Sequence, residues 1–179
     1  MTALNVAVLC GSLQRPSRTL VLCEALLAKI GEHRTIVPHV VEIAQIGRTL
    51  GACLKYDELP PEIVTHLSAV VSADILIAAS PVYSATYTGM FKHFIDFVGM
   101  DALAGKPTLL AATGGSPLHG LMIDQLMRPL FAMKQALTLP IGVYATESDF
   151  TDYRITSPGL EKRIALAVDL ALPFLPLSD

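Results

Sequence analysis

The feature that most constrains this chain is an alternation, repeated five times, of short apolar runs with segments whose apolar residues recur every three or four positions. A run with no polar alternation needs cover on both faces, which a parallel sheet between two helix layers supplies. The first run, NVAVLCGS at 5–12, reads as a buried strand leaving into a turn at Gly11-Ser12. From Ser17 the period becomes helical through Leu20, Cys23, Leu27 and Ile30. A second strand is expected around 35–37 and 40–43, and Pro38 within it predicts an edge position or a bulge, because proline donates nothing to a ladder. Residues 47–59 read as loop, followed by a helix from Pro61 to about Val71, a strand over 74–79, a helix over 89–98 and a strand over 107–112. Ser116-Pro117 suits a helix start, and that helix is expected to run toward Ala136 with a kink or bulge at Pro129, where a hydrogen bond is lost. A fifth strand is expected over 139–145, and Ser157-Pro158 opens a last helix that Pro173 closes. This order predicts an α/β doubly wound parallel sheet with right-handed crossovers and strand order 2-1-3-4-5. No linker, repeat or low-complexity stretch divides the chain, so 1–179 reads as a single domain.

Composition narrows the function classes. Hydrophobic residues make up 52% of the chain and charged residues 16%, more apolar than one soluble surface needs, which points to cover by another subunit. A net charge of -3, with Lys162-Arg163 as the longest basic cluster, argues against nucleic acid. The stretch MTALNVAVLCGS lacks the basic flank of a signal peptide and is too short an apolar run to span a membrane. Cys10, Cys23 and Cys53 are odd in number and contain no CxxC pair, as expected of reduced thiols in a cytoplasmic enzyme. His33, His39, His66, His93 and His119 show no metal-ligand spacing, so no metal is expected.

In an open parallel sheet the ligand lies beyond the carboxyl ends of the strands. Three expected strands end in unusual loops: GSLQRPSRT at 11–19, SPVY at 80–83 and TGGS at 113–116. The first offers the hydroxyls of Ser12, Ser17 and Thr19, a guanidinium from Arg15 or Arg18, and the free N–H groups of a helix start, a set that a terminal phosphate requires. Plain helix capping accounts equally for Ser17 and Thr19. The second puts Tyr83 beside a proline, where backbone groups meet the edge of a flat ring or the tyrosine packs over the sheet end. In the third, Gly114 and Gly115 allow close backbone approach or simply a tight turn. The coincidence of all three at strand ends favours the ligand.

These loops resemble those of the NAD(P)H-dependent FMN reductase family, above all the small reductases that supply reduced flavin to alkanesulfonate and methanesulfonate monooxygenases. The resemblance runs through VAVLCGSLQRPSRTLVL, ILIAASPVYSATYTGMFKHFIDF, LLAATGGSPLHGLMIDQLMRPLF and QALTLPIGVYATESDF. It implies a flavodoxin-like three-layer sandwich with a five-stranded sheet. It places Ser12, Arg15, Ser17, Arg18 and Thr19 around the FMN phosphate, Pro81, Val82 and Tyr83 along the isoalloxazine, and Thr113, Gly114 and Gly115 at its pyrimidine side. It implies a homodimer or homotetramer, a transient monooxygenase partner, and NADH or NADPH as hydride donor. Sulfonate-linked relatives often carry Tyr or His in the middle of the fourth helix, at a bulge in a tetramer interface. This chain has Gln125 there, which hydrogen-bonds but does not stack.

Hydride transfer to flavin needs two stacked rings and no side-chain nucleophile, so no catalytic side chain is assigned. Backbone donors at Tyr83 and at Gly114 or Gly115 are expected to stabilise charge on reduced FMN. His119 reads as a surface or capping residue, and Asp124 and Arg128 as a helical ion pair. Two alternatives stand beside this reading: a prosthetic-FMN reductase of quinones, azo dyes or metal oxyanions, which requires the same phosphate loop, and a flavodoxin-type electron carrier, against which the arginines of that loop and the mildly acidic composition argue. No motif separates NADH from NADPH.

Overall fold

A computed structural model describes residues 3–176. Strand β1 (Leu4–Cys10) sits inside the sheet, with β2 (Ile36–Glu42) on one side and β3 (Ile75–Pro81) on the other. Beyond β3 lies β4 (Pro107–Gly114) and beyond that β5 (Leu137–Thr138), giving the order β2-β1-β3-β4-β5 with all pairs parallel. The sandwich is the flavodoxin-like α/β arrangement expected from the strand–helix alternation.

The sequences of β1, β3 and β4 carry no polar alternation because both of their faces are buried. Ala7, Leu9, Leu76, Ala78, Leu110 and Ala112 face one core, and Val6, Val8, Cys10, Ile77, Ala79, Leu109 and Ala111 face the other. Helices α1 (Arg18–Gly31) and α6 (Pro158–Ala171) cover the second core. The first is covered by α2 (Ile43–Gly51), α3 (Pro61–Ser72), α4 (Gly89–Asp96) and α5 (Arg128–Met133). Phe91, Phe94 and Phe131 are its largest fully buried side chains, each worth about 3–5 kcal/mol against truncation to alanine. Cys10, Cys23 and Cys53 are all buried and free.

Four expectations are refined. Pro38 lies in an edge strand whose register with β1 is unbroken, so the edge position holds and no bulge is needed. Residues 43–51, part of which reads as loop, form α2, because Ile43, Ile46 and Leu50 bury against the core and outweigh the helix cost of Gly47. Ser116 opens only a 3₁₀ turn (Pro117–His119), and the helical stretch expected here runs from Met122 to Met133, with a π-helical turn (Ile123–Met127) leading directly into α5 as the bulge expected at Pro129. Arg128 N–H reaches back to Ile123 O, so the widened turn comes immediately before Pro129, which has no N–H to donate. The fifth strand is split into β5 (Leu137–Thr138) and β6 (Val143–Thr146), both paired with β4. Pro140 lies in the gap, and side chains take up carbonyls there: Arg128 Nη1 donates to Leu139 O at 3.0 Å and Arg163 Nε to Gly142 O at 3.1 Å.

Among the described residues no helix is long and apolar enough to cross a membrane, and no three His, Cys, Asp or Glu side chains group as a metal site.

Candidate functional site

β1, β3, β4 and β6 end at the same edge of the sheet, and their following loops enclose a cavity of about 310 Å³. This is the lower end of the size range for small-molecule clefts. Its lining includes Ser12, Ser17, Arg18, Thr19, Pro81, Val82, Tyr83, Thr113, Gly114 and Gly115. Ten of the eleven expected site residues therefore converge from three separate stretches of chain.

The first loop is shaped by what it must pass. A Cβ on Gly11 would lie 2.8 Å from Phe91 Cδ2 and 3.1 Å from Ser80 Oγ, so only glycine lets the chain leave β1 over α4. Ser17 then caps α1, its Oγ accepting from Leu20 N at 3.2 Å. That bond uses a lone pair and leaves the hydroxyl hydrogen free. Arg18 and Thr19 N–H open the helix and have no intrahelical acceptor. The start of α1 thus presents donors to the cavity, with the positive end of the helix dipole behind them.

Buried hydroxyls lock the loops together. Thr19 and Thr113 Oγ1 atoms lie 2.6 Å apart, joining the start of α1 to the end of β4. Thr88 Oγ1 donates to Gly11 O at 2.8 Å and accepts from Phe91 N, while Thr88 N donates to Ser80 Oγ at 3.0 Å. Between these anchors, Tyr83 and Thr86 exchange N–H···O bonds of 2.9 and 3.1 Å around Ser84 and Ala85, both in the left-handed region at φ 49° and 66°. Two non-glycine residues there store strain of about 1 kcal/mol or more each, and the turn leaves Tyr83 half-exposed at the cavity. At the third loop Tyr144 Oη donates to Ser116 O at 2.6 Å, and burial raises the phenol's pKa, keeping it a donor. A Cβ on Gly115 would meet nothing within 4 Å, so the cavity has open space there.

Arg15, expected at the phosphate, does not line the cavity. It makes a two-pronged pair with Glu42, Nε to Oε2 at 2.6 Å, which raises its pKa further. Glu42 stands opposite Cys10 in the register, so the loop leaving β1 passes directly over that carboxylate. Gln14, Pro16, Glu147 and Tyr153 line the cavity without having been singled out from the sequence. Gln14 and Pro16 lie within the quoted loop. Glu147 and Tyr153 belong to the polar segment after the fifth strand, which ends at the same sheet edge, and that topology was the available signal. Arg18 Nη1 lies 2.9 Å from Glu147 Oε1, and its Cζ sits 5.6 Å from the Tyr153 ring centroid. His119 does not line the cavity, Gln125 is exposed in the π-helical turn, and Asp124 pairs with Arg128 at 2.9 Å.

The profile of a family described as NADPH-dependent FMN reductase matches residues 4–151. The chain belongs to this family. The reductase is 50% identical over 172 residues to an NADH-dependent FMN reductase, SfnE, of Pseudomonas putida, covering 96% of this chain and 92% of that one. It is 48% identical over 169 residues to an FMN reductase (NADPH) of Pseudomonas aeruginosa, covering 94% and 91%. Among solved structures, the apo form of an NADH:FMN oxidoreductase, EmoB, superposes with a TM-score of 0.86 at 27% identity, covering 98% of the reductase and 92% of that chain. An oxidoreductase from Corynebacterium diphtheriae gives 0.85 at 31%, covering 97% of each. The reductase is an NAD(P)H:FMN oxidoreductase, with FMN and a nicotinamide cofactor as its redox pair.

Proposed function

We propose that FMN binds with its phosphate at the start of α1, against Ser12, Ser17, Arg18 and Thr19, and its ring system between Pro81–Tyr83 and Thr113–Gly115, and that reduced FMN leaves for a separate monooxygenase. The observation that carries this reading is the convergence of those ten residues on one cavity. They fit the group chemically: hydroxyls, helix-start N–H groups and a guanidinium at one end, and open space beside Gly115 at the other.

When bound, FMN supplies the ring that accepts hydride from the nicotinamide. The chain contributes position and electrostatics. Gly114 and Gly115 bring backbone close to the ring edge, and the Tyr83–Thr86 turn sets the half-exposed tyrosine beside it. Thr88 and Thr113 hold both loops so that little reorganisation accompanies the reaction. One cavity arginine, already paired to Glu147, suits a flavin that departs as product.

The chain acts on this reading as a single domain that assembles into a homodimer or homotetramer. Leu118, Leu121, Leu126 and Met133 support assembly: they are exposed and apolar, on the segment that follows the third loop. The test is anaerobic stopped-flow absorbance on flavin-stripped protein with FMN and either NADH or NADPH, followed by rapid filtration. Bleaching with reduced FMN in the filtrate is the expected result and identifies the preferred nicotinamide. Bleaching with flavin retained would replace the reading by a prosthetic-group reductase.

A further inference from the structure

We propose that Glu147 is an internal rival of the flavin phosphate for Arg18, and that this rivalry sets how readily FMN leaves. The inference rests on the phosphate position proposed above and extends it to the control of affinity.

Among the described residues lining the cavity, Arg18 is the one cation and Glu147 the one anion. Their charged ends meet at 2.9 Å, and both side chains are substantially exposed, 40% for Arg18 and 64% for Glu147. An exposed pair of this kind is weak enough for an arriving anion to displace. Arg15 gives no help, since Glu42 occupies its guanidinium.

Glu147 does not depend on Arg18 for its place at the cavity. It opens the short turn after β6, and that turn is closed by Asp149, whose Oδ2 accepts from Thr146 N at 2.7 Å and from Thr146 Oγ1 at 2.9 Å. Burial pushes the Asp149 carboxyl upward, but the Thr146 and Ser157 hydrogen bonds outweigh it and hold the group below its ordinary value, so it stays ionised and the turn stays closed. Arg18 is likewise held from a second side by the Tyr153 ring, in the β7 (Phe150–Thr151) and β8 (Arg154–Ile155) hairpin. The fold therefore fixes the turn that carries Glu147, and one flank of Arg18, at the cavity.

The consequence is a two-part penalty on phosphate binding. The phosphate, carrying a charge of about -1.5 to -2, has to take Arg18 from a carboxylate that already satisfies it, and then lie beside that carboxylate's own negative charge. Riboflavin, with the same ring but no phosphate, escapes both parts. Neutralising Glu147 should thus tighten FMN selectively.

The experiment is titration of wild type, Glu147→Gln, Glu147→Asp and Arg18→Ala with FMN and with riboflavin, read by flavin fluorescence, together with FMN dissociation rates. Glu147→Gln is expected to lower the FMN Kd about threefold to tenfold, with riboflavin changed less than about twofold. The dissociation rate should fall by a similar factor, since affinity differences within one site lie mostly there. The gain should shrink at high salt, and Glu147→Asp should keep affinity near wild type. Unchanged or weaker FMN binding by a folded Glu147→Gln protein overturns the proposal, as does equal tightening of riboflavin. The underlying site is tested separately: if Arg18→Ala leaves FMN binding unchanged, the phosphate position is wrong and the rivalry falls with it.

Discussion

Substituting Gly114 by alanine tests whether the third loop is set by contact with Tyr144. An ideal Cβ at Gly114 lies 2.2 Å from Tyr144 Oη, 3.2 Å from Cζ and 3.5 Å from Val82 Cβ. To reach ordinary contact at roughly 3.5 Å, the hydroxyl has to retreat by about 1.3 Å. Oη makes a 2.6 Å bond to Ser116 O, and that bond cannot survive such a displacement. Losing it costs about 1 kcal/mol, and crowding a ring packed against the core adds about 1–2 kcal/mol, so Gly114→Ala should destabilise the protein by about 2–3 kcal/mol. Tyr144→Phe alone removes the same hydrogen bond and should cost about 1 kcal/mol. It also removes the offending atom. The double variant should therefore be more stable than the sum of the two single effects by about 2–3 kcal/mol, because the hydrogen bond is lost once and the crowding is relieved. Urea denaturation of the four proteins measures the cycle, with FMN titration reporting on the loop. A strictly additive cycle, or a neutral Gly114→Ala, would refute the reasoning, because relief would then come from backbone movement rather than from the tyrosine.

Thr88→Val keeps shape but strands Gly11 O and Phe91 N–H in a buried setting, and should cost about 2–3 kcal/mol in urea denaturation while weakening FMN. Arg15→Ala should change FMN affinity less than about twofold, whereas Arg18→Ala should weaken it about tenfold or more, as flavin titration will show. The His39–His66 pair, with ring nitrogens 3.0 Å apart, gives a pH dependence. Burial first, and then the His39 charge, lower the His66 pKa below its ordinary 6.5 against a smaller opposing effect of Glu62. A folded-state pKa below the unfolded one means that the unfolded chain binds the proton more readily. This contribution to stability is complete above pH 6.5 and is lost as pH falls through the lowered folded-state value. In denaturation measured across that window, His66→Gln should lose stability less steeply than wild type.

Much of the fold was legible because burial on both faces leaves a period that no tertiary context can hide. Runs such as 75–79 and 107–112 have no polar alternation, and the structure buries every one of their residues. Caps were legible for a similarly local reason: Ser17 and Ser157 each accept from the N–H three residues on. Ser116 shows the limit of local reasoning. It caps a 3₁₀ turn of three residues, and the helical stretch begins only at Met122, past the turn at Gly120 and Leu121. Glycine misled at 43–51, where Gly47 and Gly51 read as loop, yet burial of Ile43, Ile46 and Leu50 decides for helix.

The sequence by itself determined the parallel sheet, the choice of edge or bulge at Pro38, the three loops and the donor types within them, since these follow from periodicity and from what each residue can offer. Only the tertiary structure decided which donors are available. Arg15 and Arg18 are three residues apart and chemically alike, but the register sets Glu42 beneath one and the turn after β6 brings Glu147 against the other. Charge pairing between segments 27 and 129 residues apart is a property of topology, because an arginine's partner is whichever carboxylate the fold delivers within reach.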